Sequence, residues 1–287
     1  MKSFSLPAYA KVNLHLSVLS KRPDGNHELI TLFERVGLAD ELRVACSGPA
    51  GGLEFSCEAP GVPSDSTNLA VRAAQLYREA SGWRDGLKIQ LEKKIPAGGG
   101  LGGGSSDAAA VLLALQQLSG KALAPDRLME CARNLGSDVP FFTADVPWAL
   151  GRERGDKIEP AAVEALLWHL LVTPDFPIPT KEVYRAFKLT GPPPDATLLF
   201  RALEQRKIPR IRGLLFNVLE PTVEALYPEI RRVKSDVEVI TGLSKSMVSG
   251  SGSSIFALCE SREEAESAAA KVKERHPSWR VHAVRTT

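Results

Sequence analysis

Six of the seven residues from Gly98 to Gly104 are glycine, and the run lies between two segments with regular character. Upstream, Leu87, Ile89, Leu91, Lys93 and Ile95 alternate with their neighbours, which predicts a strand running into Pro96. Downstream, Ser105-Ser106-Asp107 precedes the apolar run AAAVLLALQQL, which predicts a helix opening at Ser105 and closed by Gly120. A surface linker is the plain alternative, but linkers seldom join a strand to a helix start. Glycines in this position let backbone N–H groups converge on a polyphosphate with no side chain in the way. The free N–H groups and positive dipole end of the helix add to that cradle. Ser105 and Ser106 are placed to supply hydroxyl donors or a magnesium contact.

The spacing Gly98-x-Gly100-x-x-Gly103 also matches a dinucleotide fingerprint, the basis for an oxidoreductase reading. That fingerprint needs a second strand ending in an acidic residue about 20 positions on. Here the stretch is still helical and then reads GKALAPDR. A Walker A loop fails because no Lys follows the last glycine, and V-A-I-K, H-R-D and D-F-G are missing, which excludes a protein kinase.

With 287 residues and about 150 per domain, two domains are expected. The turn-rich stretch 145–160 suggests a division into 1–159 and 160–287. Strands are expected over 10–19, 29–36, 42–44 and 53–57, and helices over 68–80 and 126–135. The second half predicts a strand at 168–172, a Gly-Pro-Pro-Pro linker at 191–194 and helices near 195–205 and 222–235. Strands at 247–248, 255–258 and 280–284 enclose a helix at 262–275. A net charge of +2 with no Lys/Arg run excludes a nucleic-acid partner. The four cysteines lack disulfide or zinc spacing, and strongly apolar stretches such as Ala165–Val172 are too short to span a membrane. A cytoplasmic location is expected, and nothing points to a particular oligomeric state.

Phosphoryl transfer asks for positioning, charge neutralisation and a group to take or orient the hydroxyl proton. Lys11, on an apolar strand, is either a partnered buried cation or a snorkelling lysine. Asp138, after a helix end, is either a working carboxylate or the N-cap of a helix opened by Pro140. His27 and Asn13 are polar groups near the first turn. The cluster Ser249-Gly-Ser-Gly-Ser-Ser254 reads equally as a tight turn or a second phosphate-facing loop.

Taken together, these motifs resemble the galactokinase–homoserine kinase–mevalonate kinase–phosphomevalonate kinase (GHMP) superfamily, whose ATP-binding motif PAGGGLGGGSSDAA is similar to. AYAKVNLHL, RPDGNHEL and TLFERVGLADEL resemble the amino-terminal signature of one branch, which phosphorylates the 2-hydroxyl of a cytidyl-diphosphate-linked methylerythritol. LGSDVPFF, FPIPTKEVY and MVSGSGSSIFAL follow in that branch's order. The resemblance implies an α+β fold with an amino-terminal domain like ribosomal protein S5 domain 2 and a ferredoxin-like carboxy-terminal domain. It implies ATP and Mg2+ as cofactors and a small cytidyl-diphosphate alcohol as the partner. Asp138 and Lys11 would be catalytic. Pro96, Ala97, Gly98, Gly99, Gly100, Leu101, Gly102, Gly103, Gly104, Ser105 and Ser106, with Lys93 and Asn68, would hold the nucleotide. Asn13, Asn26, His27, Thr180 and Tyr184 would meet the substrate. No side chain is assigned as a metal ligand, so ATP oxygens and water would supply the magnesium shell. One position departs from the pattern: Asn26 stands where the branch carries an aromatic, so the base would be stacked by Tyr184 from one face only. Lys181 stands where proline is usual and would meet a substrate phosphate. Mevalonate- or homoserine-type kinases and a non-catalytic ATP-binding module are the nearest rivals.

Overall fold

A computed structural model describes residues 2–48, 51–59, 61–189, 191 and 194–287. The chain opens with a long antiparallel hairpin, β1 (Ser3–Lys21) and β2 (His27–Gly48). The expected strands over 10–19, 29–36 and 42–44 are sections of these two, because the alternation is interrupted by bulges rather than by turns. Next come β3 (Leu53–Cys57), α1 (Leu69–Ser81) and β4 (Gly86–Glu92). They are followed by α2 (Gly103–Leu118), α3 (Pro125–Leu135), α4 (Val139–Thr143), β5 (Trp148–Glu153) and β6 (Lys157–Pro160). β2 is long enough to hold two partners on one edge: Leu29–Glu34 pair with β5 and Glu41–Gly48 with β4. The turn-rich stretch expected as a boundary is therefore a hairpin of the first sheet, which runs through Pro160.

The second half contains β7 (Trp168–Thr173), α5 (Thr180–Ala186), α6 (Thr197–Glu204), α7 (Ile208–Leu214) and β8 (Phe216–Asn217). It continues through α8 (Glu220–Leu226), α9 (Glu229–Thr241), β9 (Met247–Val248), β10 (Ile255–Cys259), α10 (Arg262–Arg275) and β11 (Arg280–Arg285). Its four-stranded antiparallel sheet has the order β11-β7-β10-β9, with helices between β7 and β9 and between β10 and β11. That is the ferredoxin-like βαββαβ arrangement. β8 departs from it and pairs in parallel with β1 of the first sheet. The helix expected over 222–235 is two helices, broken where Pro228 interrupts the N–H ladder. Pro192 and Pro193 of the expected linker lie outside the described residues.

Each sheet buries its own apolar face, the first under α1–α4 and the second under α8–α10. A third cluster joins them, with Val12, Leu32, Ile95 and Leu101 from one side and Leu171, Phe256 and Val284 from the other. Within that seam Glu34 Oε1 accepts hydrogen bonds from His169 Nε2 at 2.9 Å and Thr286 Oγ1 at 2.6 Å. The two sheets thus share a core.

Candidate active site

The glycine run is held open by protein contacts as much as by its own freedom. Gly98, Gly100 and Gly102 have φ of 70°, 75° and 73°, so alternate residues take the left-handed conformation. The Leu101 side chain is buried in the seam, and its carbonyl accepts from Lys11 N at 3.0 Å. The carbonyl of Gly99 accepts from Ser254 N at 3.0 Å, and that of Gly100 from Ser249 Oγ at 3.2 Å. A Cβ on Gly100 would run into the Ser249 carbonyl, and one on Gly102 would stand 2.9 Å from the Phe142 ring. Gly104 differs: a Cβ there meets only Leu69 Cδ1, at 3.8 Å. The second Gly/Ser cluster is therefore the brace behind the glycine loop, and its Gly250 and Ser251 also reach the cavity wall.

The loop delivers directly into α2, which begins at Gly103 and not at Ser105. Gly102 is the N-cap with no side-chain cap, so Ser105, Ser106 and Asp107 lie inside the helix. Helical geometry turns Ser106 inward, where it is 3% exposed and lines no part of the cavity. Every other residue expected at the site borders one cavity of about 1130 Å³.

Lys11 is almost fully buried on β1. Its Nζ donates to Asn13 Oδ1 at 2.7 Å, lies 3.7 Å from Asp138 Oδ2 and sits 5.9 Å from the Phe33 ring centroid. Burial lowers the ammonium's pKa, and the Asp138 charge pulls it back up. The snorkelling alternative is thereby excluded. Asp138 does occupy the N-cap position of α4, yet its carboxylate makes no capping bond and faces Lys11. The position is that of a cap; the side chain is free for other work.

Lys93 is not a free cation on the cavity wall. Its Nζ is shared between Asp40 and Asp107, 2.8 Å from the latter. Asp40 also accepts from the backbone N–H groups of Lys94 and Ile95, which fixes the chain entering the glycine loop. Burial foremost, together with the Asp40 charge and against the pull of Lys93, raises the pKa of the Asp107 carboxyl. Asn68 caps α1 by accepting from Ala70 N at 2.8 Å, so its side chain is occupied in shaping the rim.

At the far end His27 faces Tyr184, with ring centroids 5.4 Å apart, and Phe187 lies edge-on to it at 6.2 Å. Burial, and less so Lys21, lowers the His27 pKa. Burial and then Asp138 raise that of the Tyr184 phenol, which stays protonated. Asn26 is exposed at the rim, and Thr180 Oγ1 lies 2.8 Å from Ser251 Oγ. The walls carry six basic side chains (Lys11, Lys21, Lys93, Arg154, Lys181, Arg185) against two carboxylates, Asp107 and Asp138. Such a lining suits a polyanion. Thr31, Arg154 and Phe187 also line the cavity; Thr31 opens the segment TLFERVGLADEL, where nothing in the sequence marks it from its neighbours, and Arg154 and Phe187 lie in no motif. Among the described residues no cluster of three or more His, Cys, Asp or Glu forms a metal site, and no helix is long and apolar enough to cross a membrane.

Comparison with known proteins agrees with this geometry. Residues 68–145 match the GHMP kinases N terminal domain and residues 199–278 the GHMP kinases C terminal domain. A 4-diphosphocytidyl-2-C-methyl-D-erythritol kinase of Citrifermentans bemidjiense is 41% identical over 286 residues, covering 100% of both chains. The kinase of the same name from Pelotomaculum thermopropionicum is 40% identical over 269 residues, 93% of this chain and 92% of its own. A crystal structure of a 4-(cytidine 5'-diphospho)-2C-methyl-D-erythritol kinase superposes with a TM-score of 0.83 at 38% identity, covering 99% of this chain and 100% of its own. A homoserine kinase from Cytophaga hutchinsonii shares the fold, with a TM-score of 0.72 at 21% identity over 100% of this chain and 95% of its own. With full-length identity to one branch and both domains of the superfamily present, the chain belongs to the 4-diphosphocytidyl-2-C-methyl-D-erythritol kinase family of the GHMP kinases.

Proposed function

We propose that this protein transfers the γ-phosphoryl group of ATP to the 2-hydroxyl of 4-diphosphocytidyl-2-C-methyl-D-erythritol, releasing ADP. The observation that carries the reading is the Lys11–Asp138 pair set beside a glycine loop that opens a helix, within one basic cavity. The loop's N–H groups and the N-terminus of α2 receive the ATP phosphates, and the space beside Gly104 leaves room for them. Asp138 orients the substrate hydroxyl and takes its proton as the oxygen attacks phosphorus. Lys11 faces the Asp138 carboxylate and offsets charge on the group in transit. Magnesium arriving with ATP would be held by phosphate oxygens and water, with the Ser105 hydroxyl at the cavity wall beside it, and would neutralise phosphate charge. His27, Tyr184 and Phe187 make the aromatic end that receives the cytosine, and Arg154, Lys181 and Arg185 surround the diphosphate.

The test is ADP release with the cytidyl substrate, mevalonate and homoserine, in wild type and Asp138→Asn. Turnover is expected with the cytidyl substrate alone and a loss of at least about 10²-fold in kcat for the variant. Turnover with mevalonate or homoserine only would overturn the substrate assignment. Undiminished activity of Asp138→Asn would overturn the role of Asp138.

A further inference from the structure

Behind the Lys11–Asp138 pair lies a hydrogen-bond chain that the proposed reaction does not itself name. The Thr31 side chain sits on β2, 1% exposed, paired with Leu16 just past the bulge that separates Asn13 from His15 in β1. Its Oγ1 donates to the His15 carbonyl at 2.8 Å. With its proton committed there, Oγ1 offers Asn13 only lone pairs, and it accepts from Asn13 Nδ2 at 2.8 Å. That fixes the orientation of the Asn13 amide: nitrogen toward Thr31, oxygen toward Lys11 Nζ. An amide turned the other way would face the ammonium with its own N–H groups.

We propose that Thr31 is a positioning residue for phosphoryl transfer, setting the Asn13 amide so that Lys11 is held, charged, against Asp138. The proposal rests on the phosphoryl-transfer reading above. Its chemistry is confined to one face of the hairpin. Past the bulge, His15 and Ser17 turn away from the cavity and bond to each other at 2.7 Å, so Thr31 is the last side chain of the row. The groups facing Lys11 from the surrounding elements are few. Asp138 precedes α4, Phe33 comes from β2, and the glycine loop and the 249–251 segment present backbone. Among the described residues, Asp138 is the charged group that acts on the Lys11 proton. Withdrawing the Asn13 oxygen from a buried ammonium leaves it less well solvated and easier to deprotonate.

The experiment compares wild type, Thr31→Val and Thr31→Ser by steady-state kinetics with ATP and the cytidyl substrate across pH. Valine keeps the branched shape and removes both hydrogen bonds; serine restores them. For Thr31→Val, kcat should fall about 10–100-fold with the KM for ATP unchanged. The basic limb of the kcat profile should move down by about one pH unit, and Thr31→Ser should recover both. If Thr31→Val does not fold, Thr31→Cys, close in size and a weak hydrogen-bonding group, carries the same expectation. Wild-type kcat with an unmoved limb in the variant would overturn the proposal. So would a loss equal at every pH that serine fails to recover. A wild-type enzyme inactive on the cytidyl substrate would instead overturn the proposed function.

Discussion

Gly100 packs so tightly against the Ser249 carbonyl that no side chain fits between them, although the two residues come from different halves of the chain. The glycine loop is therefore shaped by the protein behind it before any phosphate binds. Gly100→Ala should displace the loop, lowering the melting temperature and raising the KM for ATP. Gly104→Ala separates the two effects: its Cβ enters the open cavity from within α2, where alanine favours the helix by about 0.5–1 kcal/mol. Thermal unfolding with ATP kinetics should show Gly104→Ala at least as stable as wild type but weaker for ATP.

Lys11→Met should lower kcat by about 10²–10³-fold, the scale of removing one donor aimed at developing charge. Because burial already disfavours the ammonium, the variant should not unfold at a lower denaturant concentration than wild type. Urea unfolding beside single-turnover kinetics checks both halves of this expectation.

The ionisation of Lys11 also sets a pH dependence. Its pKa lies below the ordinary lysine value, so the proton is lost at lower pH than from an exposed lysine. Activity should decline on the basic side with an apparent pKa under 10.5. In Lys11→Arg, whose charge persists, that limb should move to higher pH whatever the residual rate.

His15 carries a separate expectation for stability. Burial, opposed weakly by Asp195, lowers its imidazole from 6.5 to about 4. The unfolded chain then takes up a proton below pH 6.5 that the folded chain refuses until about 4, so stability is full at neutral pH and declines as pH falls through this window. Linkage puts the loss at about 2–3 kcal/mol between pH 7 and 4.5. Urea unfolding at the two pH values should show that difference shrinking in His15→Phe.

Asn26→Tyr should strengthen cytidyl binding. Tyr184 offers one aromatic face, and a stacked base contributes about 1–3 kcal/mol. A KM for the cytidyl substrate about tenfold lower, with the KM for ATP unchanged, is the expected result. An unchanged value would show that His27 and Phe187 already close the second face.

The glycine run, the alternating strand before it and the apolar helix after it are local patterns; the strand ends at Glu92, three residues short of Ile95, and the helix begins two residues ahead of Ser105. The start of α2 was legible only in part. Ser105 looks like a cap, but the loop's left-handed turns let the helix begin at Gly103, which carries Ser106 out of the site. The hairpin β5–β6 reads as a turn because its glycines and charges conceal strands that exist by pairing, β5 with β2 and β6 with β5.

By itself, the sequence determined the kinase family and the glycine loop set between a strand and a helix, because each is written in residue types at short spacing. Tertiary structure alone decided that Asp138 faces Lys11 instead of capping α4, that Lys93 is spent on Asp40 and Asp107, and that Thr31 orients Asn13. The physical reason is that a charge or a hydroxyl acquires its role from its partner and its burial. Those are set by strand register, by one bulge in β1 and by the seam between two sheets, none of which a local pattern contains.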